Sequence, residues 1–397
     1  MPIAMTEDHR TLAETVSDFL AKRQVRAATR SLLDAESEEL PAFWAELSLL
    51  GLLGLHFPEE RGGSGFELSE TLVVTEQMGR SLAPGPFVPT VITSAVLAAA
   101  APPDLQVRLL PGLGDGSVIG AVALGGEVSY ADGRASGEAG VVISGHLADV
   151  LLVPAGNDVL VIEAAGGGVT TQVSANPDQS RRAARVRLEA APAEVLPGAR
   201  GILTGLACAV FAAEAAGMAA ETTEQAAEYA NARVQFDRPV AGFQAIKQHC
   251  ADMLVATELA AAATRNAGRA AKAGGDQFGY AAAIAATLAV PAAASNASLS
   301  IQVHGENGFS WEHDAHLYQR RAAAIAAVVG AEQAAAEVTD LVRRGVPRAA
   351  AIGLPAEAEP IRAAAGASGE HRQAGAVGGR ARGRGDHGRP GRRVPRR

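Results

Sequence analysis

Arg233, Gln235, Phe236 and Gln244 bring a guanidinium, two amides and an aromatic ring into one short bend of the chain. Such a set can hold a phosphate bidentately and lay a ring edge against a purine, because the guanidinium fork matches two phosphate oxygens. The same residues also have a plain reading. An arginine that closes a helix suits the helix dipole, and a phenylalanine next to it is ordinary core. His313 and His316, beside Glu312 and Asp314, raise the question of a metal, but His-Glu-x-x-His spacing is absent and no metal is expected. The chain also has no nucleotide-hydrolase phosphate loop, no Gly-x-Ser-x-Gly elbow and no Cys-x-x-Cys pair.

The bend needs two helices to position it. An Ala-rich helical pattern runs from about Gly201 to Ala232, and Pro239 with Gly242 forces a short, firm turn. After it, Ile246, Met253, Leu254 and Leu259 recur at helical spacing. In all, residues 201–345 read as a C-terminal four-helix bundle. Residues 1–115 read as an N-terminal helical domain, with apolar stripes such as Leu12, Val16, Phe19 and Leu20, then Phe43, Leu47, Leu50 and Leu53. Helices are also expected at Ser69–Leu82 and about Val91–Ala100, with Pro102 and Pro103 as punctuation. Residues 116–200 change character: short β-prone runs at Val118–Leu124, Val141–Ser144, Val150–Val153, Val159–Glu163, Val169–Val173 and Ala184–Leu188 predict a small middle β domain. The fold class is therefore α+β.

Composition narrows the function. The 397 residues are 48% hydrophobic and 20% charged, enough for a large core. Cys208 and Cys250 make no disulfide framework, and a cytoplasmic location is expected. Two long charge-free stretches, Ser81–Pro103 and Phe278–Val303, contain proline and read as buried helices, so no membrane is expected. Nine Arg against Glu370 and Asp386 lie beyond Gly366, which leaves the rest near −15 of a total −8. An acidic body of this kind argues against nucleic acid as a partner.

The stretch Arg233-Val234-Gln235-Phe236-Asp237-Arg238-Pro239-Val240-Ala241-Gly242-Phe243-Gln244-Ala245-Ile246 resembles the R-x-Q-F-x-x-P-(I/V)-x-x-F-Q-A segment of the acyl-CoA dehydrogenase family. Asp237 stands where the family usually has Gly, and Gln248 where it often has His. The loop Pro58-Glu59-Glu60-Arg61-Gly62-Gly63-Ser64-Gly65 is similar to the P-E-E-x-G-G-x-G loop of the same family, and the segment from Val141 to Ala155 resembles the rhythm of its middle domain. The resemblance implies FAD as cofactor, with Arg233, Phe236 and Gln244 against the pyrophosphate and adenine of an FAD held mainly by a neighbouring subunit. It further implies that Gln302, Gly305 and Gly308 match the Q-x-x-G-G-x-G loop, with Glu306 in place of its second Gly. An acyl-CoA substrate, a homo- or hetero-oligomer with another acyl-CoA dehydrogenase-like unit, and an electron-transfer flavoprotein as oxidant follow from the same likeness.

Two family features are missing. Where T-E-P-x-x-G-S-D should grip the isoalloxazine, the chain reads Leu124-Gly125-Gly126-Glu127-Val128-Ser129-Tyr130. At the two usual places for the catalytic base it has Ala207 and Ala327-Val328-Val329-Gly330. Glu214, two turns beyond Ala207, is the remaining candidate, against the alternative of a structural or solvated carboxylate. The expected function is flavin-dependent α,β-desaturation of an acyl-CoA thioester by a chain working with a partner unit that supplies the base. The alternative is a non-catalytic member that completes an FAD site, and in either case little activity is expected of the chain alone. Beyond Arg344 the pattern decays: residues 346–397 read as a linker and an Arg/Gly-rich disordered tail. Ala356–Arg362 is similar to the opening of a second N-terminal helix, so the tail reads either as a shifted frame after about residue 366 or as a genuine basic extension.

Overall fold

The computed structural model describes residues 5–346. The linker and tail from Pro347, with both readings of them, lie outside the described residues.

Six helices open the chain: α1 (Glu7–Lys22), α2 (Val25–Ser31), α3 (Trp44–Leu49), α4 (Leu68–Arg80), α5 (Phe87–Ala100) and α6 (Pro103–Asp115). Thr6 caps α1 by accepting the His9 N–H at 3.1 Å, and Glu67 with Glu70 forms a capping box on α4. The α6 helix was not expected. Pro103 occupies its first position, where the missing N–H has no intrahelical partner to lose, so proline starts a helix here instead of ending one.

Eight strands follow: β1 (Gly120–Val122), β2 (Glu127–Ala131), β3 (Arg134–Ile143), β4 (Val150–Ala155), β5 (Asp158–Glu163), β6 (Val169–Ser174), β7 (Ala183–Pro192) and β8 (Glu194–Leu196). They form two four-stranded sheets, β1-β4-β5-β8 and β2-β3-β7-β6, in which only β1 and β4 pair in parallel. In β4, Leu151 and Val153 enter the core shared by the two sheets, while Val150 and Leu152 enter the helical core. One sheet therefore lies between the other and the helices, which is why β4 carries an unbroken apolar run.

The remaining elements are α7 (Arg200–Ala232), a ribbon of β9 (Val234–Gln235) and β10 (Arg238–Pro239), α8 (Gln244–Ala271), α9 (Gly275–His304), α10 (Glu306–Phe309), α11 (Ala315–Val328) and α12 (Ala331–Arg343). Where one long fourth helix was expected, α11 and α12 meet at a bend of 43° beside Gly330. The α9 helix, by contrast, continues unbroken past Pro291. By length and composition α7 and α9 are apolar enough to cross a membrane; 89% and 61% of their most apolar windows are buried inside the protein.

Two glycines set how closely α4 and α7 cross. A Cβ on Gly79 would lie 2.1 Å from the Glu214 carbonyl oxygen, and one on Gly217 would lie 2.0 Å from that of Glu76. Each helix thus rests its backbone in a notch of the other.

The His56 ring reaches inward, with Nδ1 3.2 Å from Thr71 Oγ1 and Nε2 3.1 Å from Ser94 Oγ, both hydroxyls fully buried. Burial pushes its pKa down to about 4 from the ordinary 6.5. The unfolded chain therefore takes up this proton first, and the folded state loses stability as pH falls from 6.5 toward 4. Relative to wild type, His56→Gln is expected to gain about 1 kcal/mol per pH unit across that window. Urea denaturation at stepped pH measures the difference; parallel curves would show that this imidazole does not titrate on unfolding.

Candidate nucleotide-binding site

The bend after α7 is a hairpin rather than a plain turn between helices. The Arg233 N–H closes α7 on the Tyr229 carbonyl at 2.8 Å, and Val234 and Gln235 then pair with Pro239 and Arg238. Phe236 and Asp237 form its tip at φ of 55° and 61°, the two left-handed positions of a tight hairpin turn. Aspartate tolerates that conformation better than most residues, which explains how Asp237 can stand where the family has glycine. Phe236 is 86% exposed, so it is not core. Its ring meets Phe243 edge-on at 6.1 Å, and the Arg238 guanidinium covers Phe243 at 4.0 Å.

The second group stands at the end of α9. Gly305 has φ 61° and ψ −133°, a conformation open to glycine, and no atom lies within 4 Å of where its Cβ would be. Gly308 is buried, and a Cβ there would lie 2.5 Å from the Ile301 carbonyl oxygen, so glycine allows α10 to fold back onto α9. A small apolar cluster joins the two groups: Val303 beside Gln302 packs with Val240, Met253, Ala226 and Ala230. Asn307 Nδ2 also donates to the Tyr229 hydroxyl at 3.3 Å. Arg233, Gln235, Phe236, Gln244, Gln302 and Gly305 are therefore exposed at one end of the bundle.

This surface suits the adenosine and pyrophosphate end of a dinucleotide. It offers a cation, three amides, a solvent-facing ring and an open backbone over Gly305. Glu306 is exposed at the start of α10, and among the described residues no ion pair neutralises it. A cavity of about 430 Å³ adjoins on the α7 side, lined in part by Tyr229, His304, His313 and Glu312. Burial lowers the pKa of His304, whose Nδ1–H donates to the Ser300 carbonyl at 2.7 Å, and also lowers that of His313. His316 stacks on Trp311, Asp314 pairs with Arg30, and among the described residues no group of three or more His, Cys, Asp or Glu is placed to hold a metal.

The isoalloxazine end is not matched. The stretch Leu124-Gly125-Gly126 is used up as a tight turn from β1 into β2, with Gly126 at φ 103° and pressed against the Glu138 carbonyl oxygen, 2.4 Å from where a Cβ would sit. No loop remains there to reach over a ring. Ala207 is fully buried and Val329 nearly so, and neither base position carries a carboxylate.

Glu214 does not suit the role of base. It is 1% exposed, with Oε2 accepting from Arg181 Nη2 and Oε1 from Arg321 Nη1, both at 2.9 Å. Arg321 also donates to Asp178, to Ser180 Oγ at 2.9 Å and to the Ala83 carbonyl at 3.2 Å. A carboxylate with each oxygen committed to a guanidinium has no free edge for a substrate proton. Burial opposes the Arg181 charge and lowers its pKa. Burial also works against Arg321, but Asp178 and Glu214 outweigh it and raise its pKa. The corrected role of Glu214 is therefore to anchor the β6–β7 loop to α7 and α11. Sequence reasoning passed over Asp178, Ser180, Arg181 and Arg321. The one signal was a pair of arginines at the mouth of a half-buried strand, Arg181-Arg182 before Ala183.

Residues 6–117 match the acyl-CoA dehydrogenase N-terminal domain and residues 206–340 the acyl-CoA dehydrogenase C-terminal domain. Acyl-CoA dehydrogenase FadE34 of Mycobacterium tuberculosis is 37% identical over 318 residues, 79% of this chain but 44% of FadE34, so the chain spans less than half of that relative. Acyl-CoA dehydrogenase IpdE2 of the same organism is 35% identical over 323 residues, 80% of this chain and 91% of IpdE2. Among solved structures, the ChsE4-ChsE5 complex from Mycobacterium tuberculosis aligns with TM-score 0.80 at 26% identity, over 86% of this chain and 99% of that one. A variant of the Tcur3481-Tcur3483 steroid ACAD aligns with TM-score 0.79 at 28% identity, over 85% and 98%. With matching N- and C-terminal domains, a near full-length relative above 30% identity and the shared α+β architecture, the chain belongs to the acyl-CoA dehydrogenase family, FAD-dependent oxidoreductases that act on CH–CH bonds.

Proposed function

We propose that this chain is one half of a two-unit acyl-CoA dehydrogenase and contributes the grip on the nucleotide end of FAD, while its partner contributes the base and the ring-binding loop. The observation that carries this reading is the split itself. Arg233, Gln235, Phe236, Gln244, Gln302 and Gly305 share one exposed end of the bundle, whereas the β1–β2 turn and both base positions lack what the ring and the α proton need. Desaturating an acyl thioester requires a base for the α proton and an acceptor for the β hydrogen, and bound flavin supplies the acceptor. The residues of this chain would hold pyrophosphate at Arg233 and Gln302, lay Phe236 against the adenine and let the backbone approach at Gly305.

Titration of the isolated chain with ADP tests that grip apart from flavin chemistry. ADP is expected to bind, and Arg233→Ala to weaken it by roughly tenfold or more, the loss of one charge-assisted phosphate contact. Equal affinity in wild type and variant, or an isolated chain that purifies yellow and active, would sink the reading.

A second reading, a member with no chemistry of its own that completes an FAD site, is favoured by one observation: Glu214 is locked in ion pairs and no other carboxylate replaces it at either base position. Activity of a co-purified pair that dies when the partner's base is removed, and not with any carboxylate of this chain, would favour it. Bulky, steroid-like thioesters as substrates, an electron-transfer flavoprotein as oxidant and a reducing cytoplasmic setting, consistent with free Cys208 and Cys250, belong to the same proposal.

A further inference from the structure

Tyr229 stands on the last turn of α7, half-buried, just ahead of Arg233. Its carbonyl accepts the Arg233 N–H at 2.8 Å, and the Arg233 carbonyl in turn accepts the Val240 N–H at 2.8 Å, which closes the base of the hairpin. Any residue at this position would give that backbone bond. The side chain is what matters, because it reaches across to the chain around Gly305.

Two contacts make that reach. The Tyr229 ring lies against the His304 ring, with centroids 4.5 Å apart and planes tilted by 33°. Its hydroxyl accepts from Asn307 Nδ2 at 3.3 Å. His304 and Asn307 flank Gly305 and Glu306 in the sequence, so one side chain holds the open backbone from both sides. The anchor at His304 is firm. That residue is buried, its Nδ1–H donates to the Ser300 carbonyl at 2.7 Å, and the His313 ring lies 4.5 Å from its own.

Gly305 depends on such neighbours, since no atom lies within 4 Å of where its Cβ would be. Its N–H is directed to the Ile301 and Gln302 carbonyls, and its carbonyl accepts the Gly308 N–H at 3.0 Å. These bonds tie it to α9 and α10 but not to α7. The cluster of Val303, Val240, Met253, Ala226 and Ala230 does join the two halves, yet apolar contact is non-directional and leaves their register free. Among the described residues no other hydrogen bond joins residues 226–244 to residues 302–309.

We propose that Tyr229 is the positioning residue of the nucleotide grip, an inference that rests on that grip: through His304 and Asn307 it sets the distance from Arg233 to Gln302 and Gly305, so that one pyrophosphate meets both. Two half-sites act together on a ligand to the extent that their spacing is fixed before it arrives; otherwise the cost of ordering them offsets part of the affinity. The hydroxyl supplies the directional part. Phenylalanine in its place keeps the ring against His304 and gives up the bond to Asn307.

Titration of the full chain with ADP tests the role. Tyr229→Phe is expected to weaken ADP about threefold to fivefold, the loss of one neutral, partly solvated hydrogen bond, with a melting temperature within about 2 °C of wild type. Asn307→Ala removes the other partner of the same bond and should weaken ADP as much, and the double variant no more than either single one. In an Arg233→Ala background one half of the grip is gone and spacing no longer counts, so Tyr229→Phe should then change ADP affinity by less than about twofold. Wild type that does not bind ADP removes the grip and the positioning role together. Where wild type binds ADP, equal affinity in Tyr229→Phe, additive losses in the double variant, or a loss that persists undiminished beside Arg233→Ala overturns the positioning role alone.

Discussion

Replacing Glu214 by alanine is expected to remove roughly 3–5 kcal/mol of folding stability, the effect of breaking a buried ion pair from one side. Four charges meet in this cluster, Glu214 and Asp178 against Arg181 and Arg321, and the two arginines are 2% and 0% exposed. As it stands the group is neutral and its donors are largely matched. Without Glu214 two guanidiniums share one carboxylate in a site that water does not reach, and both lose a bond of 2.9 Å. Glu214→Gln keeps the shape but not the charge, so a smaller loss of the same sign is expected. Urea denaturation followed by circular dichroism measures both. A base with no structural duty would give the opposite pattern, lost turnover at unchanged stability, and a change below about 1 kcal/mol for Glu214→Ala would dismiss the anchoring role.

Gly217→Ala is the second large loss expected. In an exposed helix the change would help, since alanine is favoured over glycine by about 1 kcal/mol. Here the added Cβ would sit 2.0 Å from the Glu76 carbonyl oxygen and 3.0 Å from the Arg80 backbone nitrogen. Backbone atoms in a helix cannot swing aside as a side chain does, so α4 and α7 must part along their length. Overpacking of this kind costs about 1–3 kcal/mol and can exceed that where no side chain yields, so the net change is destabilising despite the propensity gain. A melting temperature at or above wild type would show that the helices separate freely. Gly79→Ala pushes on the Glu214 carbonyl oxygen itself, so its effect and that of Glu214→Ala are expected to be less than additive.

Much of the architecture was legible because it depends on local pattern. The hinge around Pro239 and the helices on both sides of it follow from periodicity and from residues that cannot continue a helix. The β4 and β5 runs stand out because both of their faces are covered. The missed strand β2 had a signal, Asp132-Gly133 at its hairpin turn, but its residues are mostly exposed and carry little apolar alternation. The Glu214 cluster had almost none. Its carboxylate meets arginines 33 residues upstream and 107 downstream, a pairing that only the packed chain creates. The residues proposed to face a nucleotide were found through motif likeness. What the motif did not convey is that a hairpin with both tip residues left-handed holds Phe236 out in water.

The loop from Ala175 to Arg182 is bonded to both helical regions of the described chain. Asp178 and Arg181 hold it to α11 and α7, and Arg182 holds it to the segment after α2. Three regions strung together by linkers alone would melt one after another. Riveted at a single loop, they share their fate: the sheets cannot let go of the bundle without exposing ionic groups, nor of the first helices without freeing Arg182. Loss of any one region is thereby expected to carry the other two with it.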